Sequence, residues 1–138
     1  YGRGPHESYW DRKWGARIGE YIGTVDEQYV NYGRPQENGN KTDIRQFAIA
    51  DATGVGLEFN PMEVFFNANA HTYSLSSLAE ANYPYELVPA GYTTLHIDYQ
   101  QMGVGGDDSW NPRTHEVYQL KEKNYSFRYT VNLLDWSE

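Results

Sequence analysis

The sequence contains no cysteine, and none of its apolar runs is long. The lack of cysteine excludes a disulfide framework and any thiolate metal site. No apolar run approaches the roughly 18 residues that a membrane-spanning helix needs, and no charged-then-apolar leader opens the chain. We therefore expect no membrane partner. Because the first residue is Tyr1 and not Met, we expect a piece of a longer polypeptide whose targeting information is lost.

Basic residues are also scarce, since 11 lysines and arginines stand against 19 acids and the net charge is −8. Proteins that bind the phosphate backbone depend on clustered lysine and arginine, so nucleic acid is not an expected partner. No phosphate loop, dinucleotide fingerprint or Gly-x-Ser-x-Gly elbow occurs, and no catalytic nucleophile can be nominated. The histidines lie far apart without metal-ligand spacing, which argues against zinc. They are His6, His71, His96 and His115.

Acids are plentiful, but none is marked by its neighbours as one of the two carboxyls of a glycosidase. We interpret the isolated ones as solvated surface or turn acids. They are Glu7, Asp11, Glu20, Asp26, Glu27, Glu37, Glu63, Glu80 and Glu116. The notable surplus is instead aromatic, with 13 tyrosines and four tryptophans in a chain that is only 39% hydrophobic. Aromatic rings with a polar tip suit half-wet surfaces such as sheets, interfaces and sugar sites.

Hydrophobic alternation predicts an antiparallel sheet protein, most simply a sandwich. The turn at 51–54 joins two alternating segments and predicts a hairpin, whereas residues 1–42 are loop-rich. One short helix is expected over residues 75–81, with Ser74 as its N-cap. The predicted strands cover residues 17–25, 43–50, 55–59, 62–73, 93–101 and 125–133.

The most informative segment is GVGGDDSW at positions 103–110, which follows a predicted strand. Three glycines within four positions give the backbone access to positive φ angles, and the polar residues after them can cap a turn. A calcium loop would need further oxygen ligands at alternating positions, so capping is the favoured interpretation. Trp110 is either a plug over one end of the sandwich or an exposed platform for the apolar face of a sugar ring.

The segment MGVGGDDSW at 102–110 closely resembles one near the C-terminus of the large, LacZ-type β-galactosidases of glycoside hydrolase family 2. Two further motifs of that family precede it in the same order. They are GRGPHESY at 2–9 with Asp11-Arg12, and Tyr29-Val30 followed by PQENG at 35–39. His6 and Ser8 depart from the glutamine and asparagine that the first motif leads us to expect.

The resemblance implies that residues 1–138 are a single domain, the C-terminal portion of the family's terminal small-chain domain. Its fold is expected to be all-β, an antiparallel supersandwich similar to galactose mutarotase. In that family the catalytic acid and nucleophile are two glutamates of a separate TIM-barrel domain, which also holds the magnesium. No catalytic residue, metal or cofactor is therefore expected in this chain.

The terminal domain is implied to contribute one aromatic residue to the mouth of the active site, and that residue corresponds to Trp110. The loop that holds it corresponds to Gly103, Gly105, Gly106, Asp107, Asp108 and Ser109. The expected partners are the remaining domains of the parent enzyme, a galactoside substrate and a homo-oligomer. The compartment stays open between the cytoplasm and the periplasm of a bacterium.

The leading hypothesis is thus a non-catalytic part of a β-galactosidase that completes the sugar site and supports assembly. A stand-alone carbohydrate-binding module is the main alternative, because the aromatic surplus could itself form a sugar platform. A mutarotase-like enzyme is a weaker alternative, since no histidine and carboxylate acid-base pair can be placed, and fold alone does not imply function. A purely structural domain with a buried Trp110 is the remaining one.

Overall fold

The computed structural model describes residues 1–136, and within them the chain forms eight strands and one α-helix. Three short 3₁₀ turns lie at Asp26–Gln28, Pro84–Glu86 and Glu116–Tyr118. The helix α1 covers Leu75–Glu80. The strands are β1 (Gly2–Gly4), β2 (Arg17–Gly19), β3 (Lys41–Ile44), β4 (Phe47–Ala50), β5 (Val55–Pro61), β6 (Phe66–His71), β7 (Thr94–Asp98) and β8 (Tyr129–Asp135).

All strand pairs in the described residues are antiparallel. The strand orders are β3-β6-β7 and β4-β5-β8, with β1-β2 as a separate ribbon. The core consists of Ile44 from β3, Phe59 from β5, and Phe66 and Ala68 from β6. Because these residues come from both three-stranded sheets, the two sheets pack face to face. The predicted all-β antiparallel sandwich with one short helix is confirmed.

Two local predictions are also confirmed. The β4–β5 hairpin turns at residues 51–54, where the Asp51 carboxylate accepts hydrogen bonds from the N–H groups of Thr53 and Val55. The Ser74 hydroxyl accepts a hydrogen bond from the N–H of Ser77 and caps α1. No helix in the described part of the chain is long and apolar enough to cross a membrane.

The single strand predicted over 43–50 is wrong, because two strands in different sheets occupy that segment. The N–H groups of Arg45 and Gln46 both donate to the carbonyl of Tyr1, at 2.7 and 3.2 Å, and so leave the ladder. Asp43 adopts a left-handed conformation with φ 53°, held by Arg3 and Lys13. The switch between sheets depends on residues at least 30 positions away, which no alternation within 43–50 could reveal.

The inner apolar face of the sandwich is uncovered at the β8 edge. Tyr129 contacts the core ring of Phe59 at a centroid distance of 6.1 Å, and Val131 pairs with Phe59 in the ladder. Leu133, paired with Leu57, therefore lies on the same inner face, because directly opposed residues share a face. Its side chain is nevertheless 89% exposed. Strand β8 ends its sheet, so an apolar surface and a strand edge lie open together.

Candidate functional site

The 103–110 loop presents Trp110 to solvent, with its side chain 93% exposed. One oxygen of Asp108 accepts hydrogen bonds from the N–H groups of Trp110 at 2.8 Å and Asn111 at 2.6 Å. The N–H groups of Asn111 and Trp110 hold the pKa of Asp108 below its usual value. Asp108 thus caps the turn that carries the indole, and Trp110 does not plug the sandwich.

Two glycines of the loop lie where neighbouring atoms leave no room for a Cβ. The N–H of Gly103 donates to the carbonyl of Tyr118 at 2.8 Å, and a Cβ at Gly103 would lie 2.5 Å from the Thr114 hydroxyl. Gly105 has φ 67°, and a Cβ there would overlap the carbonyl oxygen of Pro112. The chain returning after Trp110 therefore packs directly against the start of the loop.

Asp11 holds the loop from its other side. Its two carboxylate oxygens accept hydrogen bonds from the N–H groups of Val104 at 3.0 Å and Gly105 at 2.8 Å, and its side chain is only 8% exposed. Burial raises the pKa of Asp11, but the N–H groups of Gly105 and Val104 outweigh it and hold the pKa below its usual value. The interpretation of Asp11 as a solvated surface acid is wrong.

Arg12 completes this attachment with the opposite charge. Its guanidinium donates to the carbonyl of Gly105 and lies 3.9 Å from the carboxylate of Asp107. Asp107 also bonds to the ring of His115 across the loop. Adjacent residues of the first motif therefore bind both the N–H groups and the carbonyl of the loop backbone.

Glu7 attaches the same motif to the 35–39 motif. Its carboxylate accepts a hydrogen bond from the N–H of Gly39 at 2.9 Å and also binds the Tyr9 and Tyr32 hydroxyls. The hydrogen bond to Glu7 is the main cause, and burial the second, that raises the pKa of the Tyr32 hydroxyl to about 12. Ser8, fully buried, donates its N–H to the carbonyl of Asn40 at 2.7 Å. The three motifs, far apart in sequence, thus meet around residues 7–12.

A buried polar cluster supports the 35–39 motif from β6. His71 is 2% exposed, and its Nε2 lies 2.8 Å from the carbonyl oxygen of Asn38. Burial lowers the pKa of His71, which keeps the ring neutral. Neighbouring Asn69 bonds to His96 at 2.6 Å. Among residues 1–136, no group of three or more histidines and acids is arranged to hold a metal ion.

Beside the loop lies an open depression of about 350 Å³ that includes Asp107, Asp108, Asn111 and His115 in its lining. Its lining is polar or charged and, in the part of the chain that the structure describes, contains no phenylalanine, tyrosine or tryptophan. The site therefore offers one exposed indole beside a polar depression, rather than an enclosed sugar pocket with walls on both sides of a ring.

Comparison with known proteins gives a consistent result. The family model described as "Beta galactosidase small chain" matches residues 1–131. The chain is 43% identical over 135 residues to a β-galactosidase of Priestia megaterium, which covers 97% of this chain and 13% of that protein. It is 38% identical over 133 residues to a β-galactosidase of Halalkalibacterium halodurans, covering 96% of this chain and 13% of the relative.

A third relative, a β-galactosidase of Lactobacillus delbrueckii subsp. bulgaricus, is 41% identical over 120 residues, covering 87% of this chain and 12% of the relative. The chain thus spans only about an eighth of the length of these curated relatives. Most of each relative has no counterpart in it.

Proposed function

The chain belongs to the β-galactosidase small chain family, and from that premise we propose that it is the C-terminal, non-catalytic sandwich portion of an enzyme that hydrolyses terminal β-galactosides. In this role Trp110 stacks against sugar at the mouth of the active site. Residues 103–109 form the loop that holds the indole. The acids that cleave the glycosidic bond lie outside the chain. Any magnesium that the enzyme uses is bound there as well.

The observation that carries this proposal is an exposed indole on a rigidly attached backbone. An unattached surface tryptophan would lose conformational entropy when it ordered against a ligand. Here Asp108 caps the turn, while Asp11 and Arg12 bind the preceding residues. The backbone that positions the ring is therefore organised before sugar arrives. An indole face suits the apolar C–H face of a galactose ring.

The exposure of Trp110 and the open depression beside it support a shared site. A galactoside lying on the indole would meet one aromatic surface and the polar depression beside it, but it would stay open to water on its other side. Hydrolysis by a pair of carboxyls needs both groups placed across the glycosidic bond. We assign that pair to the part of the enzyme that faces Trp110.

The open apolar face at β8 supports a role in assembly. Leu133 and Val131 are exposed on the inner face of the sandwich, and exposed apolar patches of this kind mark interaction surfaces. On the outer face of the same strand, Asn132 instead bonds to Glu58. We assign the apolar face to contact with the remaining domains of the enzyme.

The proposal is tested by Trp110→Ala in the full-length enzyme. We expect kcat/KM for a chromogenic galactoside to fall roughly tenfold, equivalent to about 1.4 kcal/mol of lost stabilisation, with Trp110→Phe intermediate. Trp14→Ala is the matched control, because Trp14 is 91% exposed but lies outside the loop. Equal activity of the Trp110 and Trp14 variants would refute the assignment of the sugar contact.

Assays of the isolated chain test whether it is a non-catalytic portion of the enzyme or a stand-alone carbohydrate-binding module. We expect it to show no hydrolysis of the chromogenic galactoside, because no catalytic pair is assigned to it. Robust hydrolysis would overturn this part of the proposal.

Exposed Trp14, Tyr85 and Trp110 are the surface features that would favour a stand-alone carbohydrate-binding module. Saturable galactose binding in calorimetric titration, abolished by an alanine at one of these positions, would support that alternative.

A further inference from the structure

We infer that Asp11 and Arg12 are positioning residues for galactoside binding, which they promote by setting the backbone that carries Trp110. This inference rests on the proposed function of Trp110 and adds two residues to that site. Neither side chain is assigned a contact with sugar. Their effect passes through the backbone of residues 104 and 105.

The geometry shows a two-sided attachment. The Asp11 carboxylate accepts hydrogen bonds from two consecutive N–H groups, those of Val104 and Gly105, while Arg12 donates to the carbonyl of Gly105. The donors and the acceptor of one short backbone segment are thus bound by two adjacent side chains. Because Gly105 has φ 67° and gains no rigidity from a side chain, these bonds restrain its conformation.

Asparagine cannot replace aspartate in this arrangement. At Asp11 the two N–H donors bind different carboxylate oxygens, and an amide keeps only one of these oxygens, so its NH₂ group would face one of the donors. The Thr114 hydroxyl donates at 3.5 Å to the same Asp11 oxygen that Gly105 binds, and the Arg12 guanidinium lies 3.5 Å from that oxygen. With the Asp11 side chain almost fully buried, water cannot readily compensate for the lost acceptor.

The contacts of Asp11 and Arg12 with the loop could serve fold stability or the placement of Trp110. If Asp11 and Arg12 only stabilised the fold, their replacement would lower stability without changing the interaction with substrate. If they position Trp110, replacement raises KM, and it does so only while Trp110 is present. A double-mutant cycle separates these two roles.

The experiment uses the full-length enzyme with the variants Asp11→Asn, Trp110→Ala and their combination. We expect Asp11→Asn to raise KM for the chromogenic galactoside about tenfold with little change in kcat, and to add less than twofold in the Trp110→Ala background. Asp51→Asn is the matched control, because Asp51 also accepts backbone hydrogen bonds but through one oxygen, which an amide retains. It should leave KM unchanged.

Arg12→Gln gives the same comparison if Asp11→Asn does not accumulate as folded enzyme, since the Arg12 side chain is 45% exposed. An unchanged KM in a folded Asp11→Asn enzyme, or in Arg12→Gln if that variant alone folds, would overturn the inference. The inference would also fail if Asp11→Asn raised KM as much in the Trp110→Ala background as it does in the otherwise unmodified enzyme. It would fail as well if Asp51→Asn raised KM by a similar factor. If Trp110→Ala lowers kcat/KM while Asp11→Asn leaves KM unchanged, only this inference fails. If Trp110→Ala itself has no effect, the proposed function fails.

Discussion

The carboxylate of Asp11 lies 2.8 Å from the amide nitrogen of Gly105, 94 residues further along the chain. This contact joins the first sequence motif to the loop that presents Trp110. Glu7 makes the corresponding contact with Gly39 in the second motif. The three motifs therefore form one connected structure, and the position of the exposed indole depends on residues near the start of the chain.

Replacement of Gly105 should disturb the loop more than replacement of Gly106. Both have positive φ, at 67° and 75°, so alanine at either position costs about 1 to 2 kcal/mol of backbone strain. Only at Gly105 would the added methyl also overlap the carbonyl of Pro112, since nothing lies within 4 Å of the corresponding position at Gly106. In the full-length enzyme we expect Gly105→Ala to raise KM severalfold and Gly106→Ala to change it little. Equal KM values would contradict a conformational requirement specific to Gly105.

Acid should destabilise the fold through His71. Burial lowers the pKa of this histidine in the folded chain, so the unfolded chain binds the proton more readily. The stability due to the neutral ring is present above pH about 6.5 and is lost as the pH falls through the lowered pKa of the folded state. Urea unfolding should show a smaller pH dependence between pH 7.5 and 5 for His71→Gln than for the unmodified chain.

The exposed His6 provides the control for that experiment. His6→Gln should retain the acid sensitivity of the unmodified chain, because its ring stays in water in both states. An unchanged pH dependence in His71→Gln would show that the acid sensitivity does not originate at His71.

The open face of β8 should make the isolated chain self-associate. Leu133 is 89% exposed on the inner apolar face and lies on an edge strand, which is a combination that favours pairing between molecules. Leu133→Lys should shift the chain toward monomer in sedimentation or size-exclusion experiments at high concentration. Thr130→Lys places the same charge on the opposite face of the same strand and should shift it less. A well-behaved monomer of the unmodified chain would contradict the prediction.

Local sequence signals predicted the elements that local interactions stabilise. The 51–54 turn is closed by Asp51 through bonds to residues two and four positions away, and α1 is capped by Ser74 through a bond three positions away. The glycine, aspartate and tryptophan content of the 103–110 segment likewise predicted a capped loop. The bonds from Asp108 to Trp110 and Asn111 agree with that interpretation.

Local sequence patterns did not predict the elements that depend on distant partners. Strand β1 is three residues long and contains two glycines, so it has no alternation to detect. The break between β3 and β4 comes from the carbonyl of Tyr1, and β8 begins at Tyr129 and not at residue 125. The buried role of Asp11 had one indirect signal, which was its place in a motif that occurs together with the loop motif.

Short-range chemistry therefore accounts for what composition and pattern could establish: β structure, a hairpin, a capped helix and a glycine-rich turn ending in tryptophan. These depend on backbone preferences and hydrogen bonds within a few residues. Whether Trp110 was buried or exposed, which acids were solvated, and which apolar face stayed open depended on contacts across up to about a hundred residues. Such contacts form only when the sheets pack, because burial and the pairing of buried polar groups are properties of the assembled fold.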